Sequence, residues 1–290
     1  MTSDARLAVA KTYKLYIGGA FPRSESGRSY PVHDARGRFL ANAAQASRKD
    51  ARDAVAAART ASPAWSAAAA YHRGQVLYRV AEMLEGRRQQ FAAEVAAAQG
   101  LPPRRAEAEV SAAIDRWVWY AGWSDKLATV LGAANPVAGP YFSFTVPEPT
   151  GVVAVLAPQS SALLGLVSVV APVICSGNTA VVVASQDRPL PAVTLSEVLA
   201  TSDLPGGVVN VLTGRTAELA PWLATHAEVN ALDLTGAPSA IRTDLERAAA
   251  GTVKRVLRGG ASEPDCTRVP DLRRLRAFVE VKTVWHPMGV

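Results

Sequence analysis

The sequence predicts an α/β protein, a parallel sheet covered on both faces by helices, with a small β arm beside it. Three observations carry this reading. From Gly151 onward, short runs rich in Val, Leu and Ala alternate with helical stretches, the pattern of strands buried on both faces. Before them, 47 to 127 reads as alanine-rich amphipathic helix. Two further segments, 128–147 and 276–290, alternate as strands do but stand outside the strand–helix series.

Taken in order, 15 to 45 reads as short strands and turns, with Gly18-Gly19 and Gly37 at two of the turns. Ser47 is the expected N-cap of a helix with Asp50 at its third position, running to Thr60. A second helix is expected over 70–99, where Leu77, Val80, Ala81, Leu84 and Phe91 recur at helical spacing, and Pro102-Pro103 ends it. A third is expected over 106–127, with Trp117, Trp119, Tyr120 and Trp123 as packing groups. Residues 128–150, punctuated by Pro and Gly, read as two strands and a loop. The series that follows is strand 151–157, helix 163–176, strand 179–185, helix 191–202, strand 207–213, helix 217–226, strand 231–236, a helix to 251 and strand 253–258. The polar stretch 261–275 reads as a linker, and 275–285 as a last strand that must pair with something.

Composition narrows the function. The chain has 290 residues, 49% hydrophobic and 19% charged, enough for a real core. The net charge of +6 is scattered, with clusters only at Arg104-Arg105 and Arg273-Arg274, and no basic stripe is interleaved with aromatics, so nucleic acid is not the expected partner. The apolar run 163–175 is too short for a bilayer and contains Pro172, so no membrane is expected. Cys175 and Cys266 have no metal-ligand spacing, so no metal is expected. The first 14 residues show no apolar core of signal-peptide length, and a cytoplasmic setting is expected.

Several segments, in this order and at these spacings, resemble the aldehyde dehydrogenase superfamily from Tyr13 to Gly260: "LYIGGAF", "SRKDARDAVAAARTA", "WYAGWSDKL", "EPTGVV", "APVICSGNTAVVV", "DLPGGVVNVLTG" and "LDLTG". The resemblance implies a Rossmann-like nucleotide-binding-type domain formed by 1–127 and 148–260. It implies an oligomerisation arm formed by 128–147 and 276–290, because "EVKTV" near the end is similar to the family's own last strand.

The family's chemistry needs a cysteine thiolate, an oxyanion donor and a glutamate base, with NAD taking the hydride. At the family's oxyanion asparagine this chain has Ser160, and at the base glutamate it has Leu257, which accepts no proton. The nucleophile lies further on in the family, in a catalytic domain for which few residues remain after Gly260. No catalytic residue is therefore assigned. Cys266 is read as incidental, with Glu263 and Asp265 expected to raise its pKa. Cys175 is read as core.

The positions where the family contacts NAD or NADP correspond to Ala157, Pro158, Val183, Ser185, Gln186, Thr216, Leu234 and Ala237. Val183 and Gln186 replace the ribose-binding lysine and glutamate. Thr216, Ala220 and Ile241 stand where the family has glycines. Binding of NAD or NADP is expected to be weak or lost. The resulting expectation is a non-catalytic subunit that assembles with a full-length aldehyde dehydrogenase through 128–147 and 276–286. The alternatives are a divergent NAD(P)-dependent aldehyde oxidoreductase, a dinucleotide-binding module without chemistry, and, for assembly, a homodimer through the nucleotide-domain helices with the arm folded on its own hairpin.

Overall fold

The computed structural model describes residues 11–289. The chain opens on a three-stranded sheet of β1 (Thr12–Tyr13), β2 (Ser29–His33) and β3 (Phe39–Ala44), in the order β1-β3-β2. Gly18 and Gly19 close a two-residue turn between the bridged Ile17 and Ala20, with φ of 62° and 84°. Side chains resist that left-handed backbone, so glycine belongs there. Gly37 turns the chain between β2 and β3, as expected.

Helix α1 (Arg48–Ala67) starts where the sequence places it, with a complete capping box between Ser47 and Asp50. It does not stop near Thr60 but continues through Pro63. Packing holds this last turn: Trp65 is buried and its indole N–H donates to the Ile174 carbonyl at 3.0 Å. The helix expected over 70–99 is two helices, α2 (Ala70–Gly86) and α3 (Arg88–Gln99), hinged at Arg87 with φ −110° and ψ 14°. Leu84 before the break and Phe91 after it are both fully buried, and the Arg87 guanidinium pairs with Glu197 at 2.6 Å. Helix α4 (Pro103–Trp123) begins on proline, whose fixed φ suits a first turn. Residues 128–131, expected as extended, belong to the short helix α5 (Leu127–Leu131). The hairpin proper is β4 (Ala133–Asn135) and β5 (Tyr141–Pro149).

The strand–helix series then follows: β6 (Val152–Leu156), α6 (Leu164–Cys175), β7 (Thr179–Val183), α7 (Leu190–Ala200), β8 (Val209–Leu212), α8 (Thr216–Thr225), β9 (Ala231–Asp233), α9 (Ser239–Ala250) and β10 (Arg255–Leu257). Its strands form one parallel sheet in the order β10-β9-β6-β7-β8. Strand side chains alternate between two cores. Val153, Val155, Ala180, Val182, Val209 and Val211 face the layer with α2, α4 and α6. Val152, Ala154, Leu156, Val181, Val183 and Leu212 face the layer with α1, α8 and α9. Each buried Val or Leu contributes about 1.5–3 kcal/mol by leaving water. The chain winds outward from β6 first toward β8 and then toward β10. The carboxyl ends of β6 and β9 therefore flank a switch point, where open α/β sheets offer a crevice.

The end of the chain forms α10 (Arg273–Ala277) and β11 (Val279–Pro287). β11 pairs antiparallel with β5 of its own hairpin, from Val279↔Pro149 to Pro287↔Tyr141, in the sheet order β11-β5-β4. Phe278, just before β11, is fully buried. The stretch 261–275 is tied to the body rather than slack: Arg116 on α4 donates to the carbonyls of Cys266 (2.7 Å) and Arg268 (2.8 Å), and Leu275 is buried. Among the described residues no helix is long and apolar enough to cross a membrane.

Candidate functional site

The positions singled out in the sequence gather at the carboxyl ends of the parallel strands. The turn after β6 carries Ala157, Pro158, Gln159 and Ser160. The Gln159 side chain ties it to the turn after β7, donating to the Ala157 carbonyl (2.8 Å) and accepting from the Gln186 N–H (2.8 Å). Ser185 is buried, and its hydroxyl donates to the Gln159 carbonyl at 3.2 Å. Arg188 donates to the carbonyls of Gln159 (2.7 Å) and Ser160 (3.1 Å). Polar groups of these two turns therefore largely serve each other.

The turns approach closely at Gly236, whose N–H donates to the Leu156 carbonyl at 2.9 Å. A Cβ there would stand 1.9 Å from the Ala157 carbonyl oxygen. Only glycine admits this contact, which explains one glycine retained from the family pattern.

The other cofactor-side positions have joined the hydrophobic core. Val183, Ala220, Leu234 and Ala237 are all buried and lie in the same cluster as Leu212 and Leu219. Ala157 and Pro158 are buried as well. The carbon chain of Val183 thus packs inward where the resemblance puts an ammonium group. Gln186 is exposed. Thr216 is buried, and its hydroxyl has no partner among the described residues. These residues do not form the charged and hydroxylated cradle that a nucleotide ribose needs.

Ser160 is exposed, and it is not an open donor. Its N–H donates to Glu263 Oε2 at 2.9 Å, its hydroxyl donates to the same oxygen, and the Gln159 N–H donates to Oε1. A carboxylate from the tail thus holds the amides of the turn that precedes α6. Glu109 reaches the same region, accepting from the Ser161 hydroxyl (3.0 Å) and the Leu164 N–H (3.3 Å). Two acids at the start of α6 suit the positive end of its dipole. Leu257 is half-buried, and its carbonyl accepts from the Leu234 N–H at 2.9 Å.

Neither thiol is poised for attack. Burial pushes Cys175 up to about 12. Burial, and not the neighbouring carboxylates, is the main cause that raises Cys266; Arg274 and Arg116 pull it back, and Glu263 adds a minor push. A thiol held in its neutral form is a poor nucleophile. Among the described residues no cluster of His, Cys, Asp and Glu forms a metal centre.

Sequence reasoning did not identify Glu263 or Arg274 as site residues. The Arg274 guanidinium sits 2.6 Å from the fully buried Asp233 carboxylate and 2.8 Å from the Thr235 hydroxyl. Both tail residues reach the sheet through a stretch of irregular chain, so no local pattern marks them. The signal that could have found the partner of Arg274 is Asp233 itself, a charge inside an apolar strand.

Comparison with known proteins agrees with this architecture. The model of the aldehyde dehydrogenase family matches residues 21–264. Retinal dehydrogenase 2 of Gallus gallus is 32% identical over 261 residues, covering 88% of this chain and 50% of the relative. The structure of HpcC from Thermus thermophilus superposes with a TM-score of 0.80 at 30% identity, covering 85% of this chain and 47% of that one. That of an NAD-dependent aldehyde dehydrogenase from Sinorhizobium meliloti does so with a TM-score of 0.79 at 27% identity, covering 85% and 49%. The chain spans about half the length of the curated relatives it matches. It belongs to the aldehyde dehydrogenase family.

Proposed function

We propose that this chain is a non-catalytic subunit that assembles with an active aldehyde dehydrogenase through residues 128–147 and 276–286. The observation that carries this reading is the outer edge of β11. The Thr150 N–H donates to the Phe278 carbonyl and the Met288 N–H to the Pro140 carbonyl. In an antiparallel pair, bonded residues alternate, so Glu280, Lys282, Val284 and His286 turn their backbones toward β5. Val281, Thr283 and Trp285 turn theirs outward, where no strand of the described residues covers them. Val281 and Trp285 are also exposed, at 64% and 57%. Such an edge is a template for another strand. Strand addition takes its affinity from main-chain bonds and its specificity from alternate side chains.

Catalysis by this chain alone is disfavoured by the residues at its site. Ser160 is engaged by Glu263, Leu257 has no basic atom, and both thiols are held neutral. NAD or NADP binding, natural to the family and to the NAD-dependent relative, is proposed to be weak or lost here. Losing one charged, bidentate contact costs about 1.5–3 kcal/mol, roughly a ten- to hundredfold drop in affinity. The unpartnered Thr216 hydroxyl favours the second reading, a dinucleotide-binding module without chemistry. Calorimetry with NAD separates the two, since micromolar affinity supports the module.

The deciding experiment is co-expression with a full-length aldehyde dehydrogenase of the same host, followed by size measurement and mass identification. A stable hetero-oligomer is expected. A soluble homodimer that ignores every such enzyme would sink the proposal, as would NADH formation from an aldehyde panel by the chain on its own.

A further inference from the structure

A cavity of about 620 Å³ lies between α4, Ser168 on α6 and the segment 258–274. Sites for small organic ligands have volumes of this order. Its inner wall carries Arg116, which is only 8% exposed. The guanidinium donates to three neutral oxygens: the Ser168 hydroxyl (2.8 Å) and the carbonyls of Cys266 and Arg268. Among the described residues it has no ion-pair partner, and burial lowers its pKa without help from any carboxylate. Three of its five N–H groups are used. A buried cation with no counter-charge is costly.

Beside it stands Tyr120, 1% exposed overall, whose hydroxyl has no hydrogen-bond partner among the described residues although the ring lines the cavity. Burial is the main influence on this phenol and raises its pKa; the guanidiniums of Arg274 and Arg116 pull it back, and Asp271 adds to the rise. Three acids also line the cavity, each accepting hydrogen bonds from its neighbours. Glu263 holds the amides of Gln159 and Ser160. Asp265 accepts from the Thr267 N–H and hydroxyl, and Asp271 accepts from the Arg273 N–H. What remains for a ligand is the buried Arg116 guanidinium, the Tyr120 hydroxyl and a mainly polar wall with a few apolar groups, Leu257, Val269 and Pro270.

We propose that this cavity binds a small organic carboxylate, its two oxygens facing the spare N–H groups of Arg116 and the Tyr120 hydroxyl, its apolar body against the wall. None of the residues lining the cavity belongs to 128–147 or 276–286, so its test reads separately from that of the proposed assembly.

The test is calorimetry on the full chain with benzoate, its neutral analogue benzamide and inorganic phosphate. Benzoate is expected to bind saturably, with benzamide at least about tenfold weaker, because the charge-assisted bonds are lost. Arg116 also anchors the tail, so R116M risks unfolding. The informative variants are therefore Y120F, which keeps the ring, and R116K, which keeps a cation. Each is expected to weaken benzoate by about tenfold while thermal unfolding confirms a folded protein. Equal affinity for benzoate and benzamide, tighter binding of phosphate than of benzoate, the absence of saturable binding, or unchanged benzoate affinity in both variants overturns the assignment.

Discussion

Arg274 Nη1 lies 2.6 Å from Asp233 Oδ2, joining the tail to the carboxyl end of β9 by an ion pair in which the aspartate side chain is fully buried and the arginine 19% exposed. The Asp233 carboxylate also accepts from the Thr235 N–H at 2.9 Å, and the Thr235 hydroxyl bonds both it and Arg274. The pair pins the tail that runs from 261 to 275 against the carboxyl end of β9. Removing one partner leaves the other buried and unpaired.

Arg274→Met is therefore expected to destabilise the fold by about 3 kcal/mol, the range for breaking a buried pair. Asp233→Leu combined with Arg274→Met should recover much of that loss, since apolar replacement of both charges is often neutral. Urea unfolding of the two single variants and the double variant measures the coupling. Additive losses would show that the pair does not act as a unit.

Glu263 is the second anchor. Glu263→Ala frees the amides of Gln159 and Ser160 and is expected to cost about 1.5–3 kcal/mol, as for bonds to a charged acceptor. Limited proteolysis should then cut within 261–272 sooner than in the parent. Unchanged digestion and an unchanged melting temperature would remove Glu263 from the set of anchors.

The alternation along β11 separates assembly from folding. Val281→Pro removes an outward N–H and is expected to leave the isolated chain folded while weakening hetero-assembly by about tenfold or more. Lys282→Pro removes an inward N–H on the β5 side and should destabilise the sheet itself. Circular dichroism and size measurement on both variants check this. Equal effects of the two prolines on folding would mean that the alternation is assigned wrongly.

Glu94 on α3 gives a pH signature. Its carboxyl accepts from Thr194 (3.0 Å) and Gln90 (3.1 Å), while Oε2 is buried without a partner among the described residues. Burial raises its pKa above the usual carboxylate range. The folded state thus favours the protonated form. The stability this gives is present below the unfolded pKa of about 4.3 and is lost as pH rises through the folded value. Glu94→Gln is expected to raise the melting temperature at neutral pH, with the gain shrinking in acid. A gain that is the same at both pH values would assign the effect to something other than ionisation.

Much of this molecule was legible in one dimension. Hydrophobic periodicity is a local property, so Val152–Leu156 and Thr179–Val183 announced buried parallel strands, and Ser47 with Asp50 announced a helix start. Ser160 and Leu257 could be found by position within motifs, without any coordinates. Helix ends were less legible, because packing at Trp65 and the hinge at Arg87 outweigh local propensity. The tertiary structure alone decided how the distant parts meet. It put Val183 into the core rather than toward a ligand, brought Glu263 to amides more than 100 residues earlier in the chain, left Arg116 buried without a carboxylate and set which N–H groups of β11 face outward. The physical reason is that periodicity records which side of an element is apolar, whereas charge pairing and strand register depend on the path of irregular segments such as 258–272, which carry no period to read.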